Sequence, residues 1–107
     1  MGYNVLKERM FEGTVASKGN VIDGLAYFPL KMADALAEVQ IGPIEFVERS
    51  GFKLKVGDIV TVIGMPVTID ERNVVLARRV SSERGVLIVR NATGLPLWET
   101  GKPLEMN

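Results

Sequence analysis

Short apolar runs, each bounded by glycine-containing or polar turns, recur along this chain at intervals of about ten residues. The clearest is the β-branched run at residues 59–63 (IVTVI), which follows the turn dipeptide Gly57-Asp58. Residues 74–80 and 86–90 are two further strand-like runs, separated by the polar turn at 81–85. This spacing is typical of a β-sandwich or a small β-barrel.

The middle of the chain carries one helical signal. Residues 35–41 alternate in hydrophobicity, which favours a strand, whereas their alanines favour a helix. We predict a strand there. Residues 44–49 (IEFVER) predict a short helix, because Pro43 precedes them and Gly51 follows them. Strands, one short helix and then strands predict an all-β fold with one short helix, a small barrel of five to six strands resembling the oligonucleotide/oligosaccharide-binding (OB) type.

The same patterns predict strands in three further segments. Residues 9–16 predict a strand in which Gly13 marks a bulge or a close backbone approach. Residues 52–56 alternate between apolar and lysine side chains, which predicts another strand. Residues 95–98 (LPLW) predict a short edge strand after the turn at 91–94.

Size and composition predict a single domain over residues 1–107. A chain of 107 residues with 47% hydrophobic and 24% charged residues supports one globular core. We expect the core to span residues 9–98 and the polar residues 100–107 to fray. No apolar run approaches the roughly 20 residues of a membrane span. The start of the chain has no signal-type stretch, so the protein is either cytoplasmic or exported with its signal absent from this chain.

The sequence contains no cysteine and no histidine. Disulfides, cysteine nucleophiles, histidine-based acid/base catalysis, Ser-His-Asp triads and histidine-ligated zinc or haem are therefore excluded. The glycines also lack the following Lys-Ser/Thr of a phosphate-binding loop. We therefore expect no cofactor, no metal site and no catalytic residue, and we predict that the protein is not an enzyme.

Charge bears on nucleic acid as a partner. The formal net charge is zero, from 13 basic and 13 acidic residues, whereas nucleic-acid binders usually carry a basic excess. OB domains that bind single strands use stacking aromatics and cations. The corresponding candidate ligand-binding residues are Tyr27, Lys31, Arg49, Lys53 and Lys55. A single-stranded nucleic acid is therefore the alternative partner, disfavoured by the zero net charge.

A strand that is apolar on both faces points to a different kind of partner. Residues 86–89 (VLIV) are apolar throughout, so one face is expected to meet another surface. That surface is a long loop, a second subunit, a partner protein, or the N-terminal residues 3–6 of the same chain. The leading hypothesis is a non-enzymatic binding or protein-interaction module on an OB-like barrel, with a protein partner or self-association.

Two smaller predictions concern large side chains. Arg78 and Arg79 are adjacent on a predicted strand and therefore point to opposite faces. We expect one of them to pair with Glu71 or Glu83. Trp98 is expected to pack as a plug across the barrel end.

Short glycine- and proline-containing motifs run through the chain: Ile41-Gly42-Pro43, Gly51-Phe52-Lys53-Leu54-Lys55, Gly57-Asp58, Val74-Val75-Leu76-Ala77-Arg78 and Gly94-Leu95-Pro96-Leu97-Trp98. Together they resemble a family of small uncharacterised prokaryotic OB-fold-like domains. The resemblance covers residues 11–98 and implies the fold, but it carries no activity and no ligand residues. Some members of such families are exported, so the resemblance leaves the compartment open.

Overall fold

The computed structural model describes residues 2–99. Within them lie seven strands and one α-helix: β1 (Arg9–Val15), β2 (Asn20–Ile22), β3 (Leu25–Lys31), β4 (Leu36–Pro43), α1 (Ile44–Ser50), β5 (Ile59–Ile69), β6 (Arg72–Ser82) and β7 (Gly85–Ile88). Short 3₁₀ turns occupy Val5–Lys7 and Leu97–Glu99. The prediction of fraying at 100–107 lies outside the described residues.

Five of these strands close into a barrel. Their hydrogen-bonded order is β1-β5-β6-β4-β3, and β3 returns to β1 where Thr14 pairs with Lys31 and Val15 with Leu30. Neighbouring ring strands are antiparallel except β4 and β6, which are parallel. Strand β2 extends the sheet beyond β3, and β7 pairs with the second half of β6. The predicted all-β barrel with one short helix is therefore confirmed.

The ambiguous segment in mid-chain is a strand, as predicted. β4 pairs with β3 on one side and with β6 on the other, so its backbone groups are satisfied by two neighbours. This pairing outweighs the weak helix preference of its alanines. The predicted helix is also confirmed, and it ends at Gly51, whose φ of 76° is left-handed and favours glycine.

Two predicted strands are wrong. Residues 52–56 form an extended segment that pairs with no described strand, although Phe52 and Leu54 pack against the core. Burial of one side of the segment is enough to produce its alternation of apolar and lysine side chains, so this alternation does not require a strand. Residues 95–98 form only an isolated bridge between Arg90 and Pro96, followed by a 3₁₀ turn. Pro96 has no N–H to donate to a strand ladder.

Two clusters of buried side chains stabilise the barrel. The main cluster fills the interior, and its fully buried members include Leu30, Val39, Val62 and Val80. A second cluster lies on the outer face of the same strands and comprises Tyr27, Met65, Val74 and Leu76. Strand β6 serves both clusters, since successive side chains of a strand point to opposite faces.

The two predictions about large side chains have different outcomes. Arg78 donates a hydrogen bond from Nε to Glu8, so the expected pairing with Glu71 or Glu83 is wrong for this residue. Glu8 lies far away in the sequence, and the local spacing gave no sign of it. Trp98 packs against Gly42 and the ring of Phe46 at the margin of the main cluster, as expected of a packing residue.

Candidate functional site

An open, mostly apolar cleft of about 470 Å³ lies between α1, the loop that joins β1 to β2, and the extended segment 52–56. This volume falls within the range of roughly 300–1,000 Å³ that is typical of ligand sites. Its apolar walls include Phe28, Ile44, Val47, Phe52, Leu54 and Val56. Val56 is 63% exposed, so an apolar side chain stands at the mouth of the cleft.

Helix α1 forms one wall. Ile44 and Val47 are three residues apart and therefore lie on the same face of the helix, towards the cleft. The N–H of Ile44 donates to the carbonyl of Gly24 at 2.9 Å, which ties the start of the helix to the turn between β2 and β3. At the other end, the N–H of Gly51 donates to the carbonyl of Glu48 at 3.2 Å. The start of this wall is thus tied to the sheet, and its other end is closed by the helix's own cap.

The segment 52–56 forms the opposite wall and is fixed next to Asp58. The Asp58 carboxylate accepts hydrogen bonds from the N–H of Lys55 at 2.9 Å and from Nε of Arg84 at 2.7 Å. The N–H of Gly57 donates a hydrogen bond to the carbonyl of Val15 at 2.8 Å. The N–H of Val15 donates one to the carbonyl of Asp58 at 2.9 Å. The hydrogen bond from Arg84, and then that from the Lys55 N–H, lower the pKa of Asp58, so this carboxylate stays ionised.

Two lysines give the cleft a positive rim. Lys18 comes from the loop between β1 and β2, and Lys55 comes from the opposite wall. No aspartate or glutamate occurs among the described residues that line the cleft. Cations beside a concave, low-dielectric surface raise the local concentration of anionic groups. The cleft therefore suits an apolar ligand that carries negative charge.

The predicted ligand-binding residues do not form one patch. Only Tyr27 and Lys55 line the cleft. Lys31 is exposed at the end of β3, Arg49 is exposed in the last turn of α1, and Lys53 is exposed on the segment between α1 and β5. Their ligand-binding roles stay predictions, and the structure brings together two of the five.

Tyr27 is buried rather than presented to solvent. It is 7% exposed and belongs to the second cluster of buried side chains. Its hydroxyl accepts a hydrogen bond from Nε2 of Gln40 at 3.0 Å. In this conformation its ring is not available as a stacking platform.

A second cleft, of about 540 Å³, adjoins the first. Lys18 lines both clefts, but the second is more polar and contains the ion pair between Arg72 and Glu38, with 2.6 Å between its charged atoms. These two charges already satisfy each other. The apolar cleft is therefore the better candidate for a binding site.

Sequence reasoning missed Lys18 and the apolar residues Ile44, Val47 and Val56 as site residues. Lys18 lies in a polar turn, and the helix residues are indistinguishable from core residues in the sequence. Only the fold shows that this turn faces α1 across a gap. The alternation at 52–56 was the one signal near the site, and we interpreted it as a strand.

Within residues 2–99, no group of three or more potential metal-ligating side chains is placed to hold an ion. In the same part of the chain, no helix is long and apolar enough to cross a membrane.

The barrel and the cleft define the class of this protein as a small β-barrel domain with an apolar cleft under helix α1. The model of the MamS/MamX magnetosome protein family matches residues 9–87, so the chain belongs to this family. The match begins at the first residue of β1 and ends within β7, and it thus includes every strand of the ring and α1. No curated protein matches the chain. The prediction that the chain belongs to a small family is confirmed by this match, and the OB-type pattern stays a prediction.

Proposed function

We propose that this protein is a non-enzymatic interaction module of the magnetosome-associated MamS/MamX family. It captures a segment of a partner protein by inserting apolar side chains of that segment into the cleft under α1. The observation that carries the proposal is the composition of this cleft: apolar walls, two lysines at the rim and no carboxylate among its described lining residues. The matching partner segment has an apolar anchor flanked by acidic residues.

The proposal also rests on the rigidity of the walls. The start of α1 is held by a backbone hydrogen bond to the turn between β2 and β3, and the end of the segment 52–56 at Asp58 is held by backbone and charged hydrogen bonds. A site that is already formed costs little ordering entropy when a ligand binds. Membership of the family supports an interaction context, while the nature of the partner segment is argued from the cleft alone.

The decisive experiment selects random peptides on the immobilised protein and measures their affinity for matched variants. We expect the selected peptides to combine an aromatic or aliphatic anchor with Asp or Glu. Val56→Asp should weaken them at least tenfold, because it places a carboxylate at the apolar mouth. Lys55→Glu should weaken them several-fold, whereas Lys53→Glu, two residues away and outside the cleft, should not. Selected peptides that bind Val56→Asp as well as the wild type, or a selection without binders, would refute the proposal.

A fluorescence-anisotropy titration with a short single-stranded oligonucleotide tests the alternative, an OB domain that binds single-stranded nucleic acid. The zero net charge and the scattered positions of Lys31, Arg49 and Lys53 disfavour this alternative. We expect no binding at low or moderate salt. Tight binding that falls steeply with salt would replace the peptide proposal with the nucleic-acid one.

A further inference from the structure

The outer face of strands β1, β5, β6 and β7 carries apolar side chains that nothing covers within residues 2–99. On β5, Val60 and Val62 point into the core, so Ile59 and Ile63 point outwards. Ile59 is 74% exposed and Met10 of β1 is 67% exposed. Val86 and Ile88 of β7, the strand predicted to be apolar on both faces, are each 49% exposed. We call these outward side chains the outer patch.

The strand register arranges the outer patch in rows. Cross-strand pairs place Met10, Ile63, Arg79 and Ile88 in one row and Glu12, Thr61, Ser81 and Val86 in the next. Thr14 and Ile59 begin a third row. The outer patch is therefore a continuous surface of apolar and hydroxyl side chains, and its charged members in these rows are Glu12 and Arg79.

Those two charges, Glu12 and Arg79, stand diagonally across the outer patch. They are separated by two strand spacings and one row, which corresponds to roughly 12 Å for regular strands. Both are exposed, and neither takes part in an ion pair within the described chain. They are too far apart to neutralise each other directly.

We propose that the outer patch binds a second copy of this chain in a two-fold symmetric dimer. A two-fold axis that exchanges the positions of Glu12 and Arg79 forms two ion pairs at once, Glu12 of each copy with Arg79 of the other. The axis lies in the plane of the interface and passes close to both Ile63 and Thr61, so each of these residues meets its own counterpart. With regular strand spacing, the same axis places Ile59 opposite Val86 of the second copy.

The outer patch carries one acidic and one basic side chain, and this identifies its binding partner as a second copy of the chain. A surface with one charge of each sign on either side of an axis is complementary to itself, and the axis that satisfies the charges also apposes the exposed apolar side chains. The patch is four strands wide, smaller than the roughly 800 Å² per partner of standard interfaces. We therefore expect a reversible dimer rather than an obligate one.

This proposal is independent of the cleft under α1. None of the outward residues of the outer patch lines that cleft. Variants of the outer patch should leave peptide binding intact, and Val56→Asp should leave the dimer intact.

Sedimentation velocity from low-micromolar to near-millimolar concentration tests the dimer. The wild type should pass from monomer to dimer. Glu12→Arg and Arg79→Glu should each weaken the dimer at least tenfold, because each places two like-charged pairs at the interface. The double variant E12R/R79E should restore it, since the pairs are then formed with reversed signs.

Two further variants complete the test. Arg49→Glu makes the same charge change on α1, outside the outer patch, and should dimerise like the wild type. Ile59→Lys alters an exposed side chain, so it should abolish the dimer while leaving the unfolding transition unchanged. A wild type that stays monomeric throughout, or a double variant that fails to restore the dimer, overturns the proposal.

Discussion

Trp98 lies directly against Gly42: a Cβ atom at position 42 would stand 3.0 Å from Cζ3 of the indole. The ring also meets Phe46 edge-on, with 5.9 Å between the ring centroids. The last turn of the described chain therefore rests on the junction between β4 and α1. Gly42 also has a φ of 101°, a conformation that side-chain-bearing residues rarely adopt.

We predict that Gly42→Ala lowers the free energy of unfolding by about 2–3 kcal/mol, from the unfavourable φ together with displacement of the indole. Urea unfolding followed by the fluorescence of Trp98, the single tryptophan of the sequence, measures the loss. Gly24→Ala is the matched control: its φ is 79°, but nothing lies within 4 Å of an added Cβ. Equal losses in both variants would show that the contact with Trp98 contributes nothing.

Gly13 controls the closure of the barrel. A Cβ at this position would lie 2.3 Å from the carbonyl oxygen of Lys31, across the seam between β1 and β3. We predict that Gly13→Ala costs at least about 2 kcal/mol and increases hydrogen exchange at Val15 and Leu30 near the seam. Gly2→Ala, which adds a Cβ in open space, should leave both the free energy of unfolding and the hydrogen exchange unchanged. Unchanged exchange at the seam would contradict this role of Gly13.

Glu8 should contribute stability that depends on pH. Burial raises its pKa, but hydrogen bonds from Arg78 and from the Tyr3 hydroxyl, the latter at 2.5 Å, outweigh burial and lower the pKa below its ordinary 4.5. A carboxyl with a lowered folded pKa stabilises the protein above pH 4.5, and this contribution is lost as the pH falls through the folded pKa.

We therefore predict that Glu8→Gln is destabilised by about 2 kcal/mol at neutral pH and that the difference from wild type shrinks below pH 4.5. Chemical unfolding across a pH series measures it. Asp58 also has a lowered pKa, so the wild type and the Glu8→Gln variant both still lose some stability as the pH falls. Glu12→Gln, at an exposed residue without an ion pair among the described residues, is the control. A difference that stays constant with pH would exclude the charge of Glu8 as the cause.

Arg90 joins the two ends of the described chain. Its guanidinium carbon lies 4.4 Å from the ring centroid of Tyr3 and 5.4 Å from that of Trp98, and Nη1 donates to the carbonyl of Gly94 at 2.9 Å. Arg90→Lys keeps the charge but loses the planar group that contacts both rings. We predict a loss of about 1–2 kcal/mol by thermal unfolding, against no change for the exposed Arg49→Lys. Equal stability of both variants would refute the contribution of the ring contacts.

The local features of this fold could be predicted from the sequence. Gly51 ends α1, and the predicted polar turn at 81–85 contains the two residues that join β6 to β7, because helix ends and hairpin turns depend on a few neighbouring residues. The segment 52–56 shows the limit of this reasoning. Its alternation reports which side chains are buried, whereas a strand also needs a hydrogen-bonded neighbour, which is a property of the whole fold.

The candidate site could be predicted only in small part. Lys55 was identified because it is a cation near aromatic residues, but Lys18 and Val56 lie far apart in sequence and meet across the cleft only after folding. Tyr27 is the opposite case, because the sequence suggested a stacking surface that the structure does not present. An aromatic residue near lysines suggested a stacking surface, but the alternation along β3 turns its ring into the second cluster, where Gln40 satisfies its hydroxyl.

The pairing of β1 with β5 has a consequence for biosynthesis. Residues Arg9 to Thr14 leave the ribosome early, but their partners, from Gly64 back to Ile59, are made only after β2, β3, β4 and α1. At typical elongation rates, β1 therefore spends roughly several seconds with one edge unpaired. The β5–β6 hairpin forms from contiguous residues, so it provides the edge onto which the previously synthesised β1 is added.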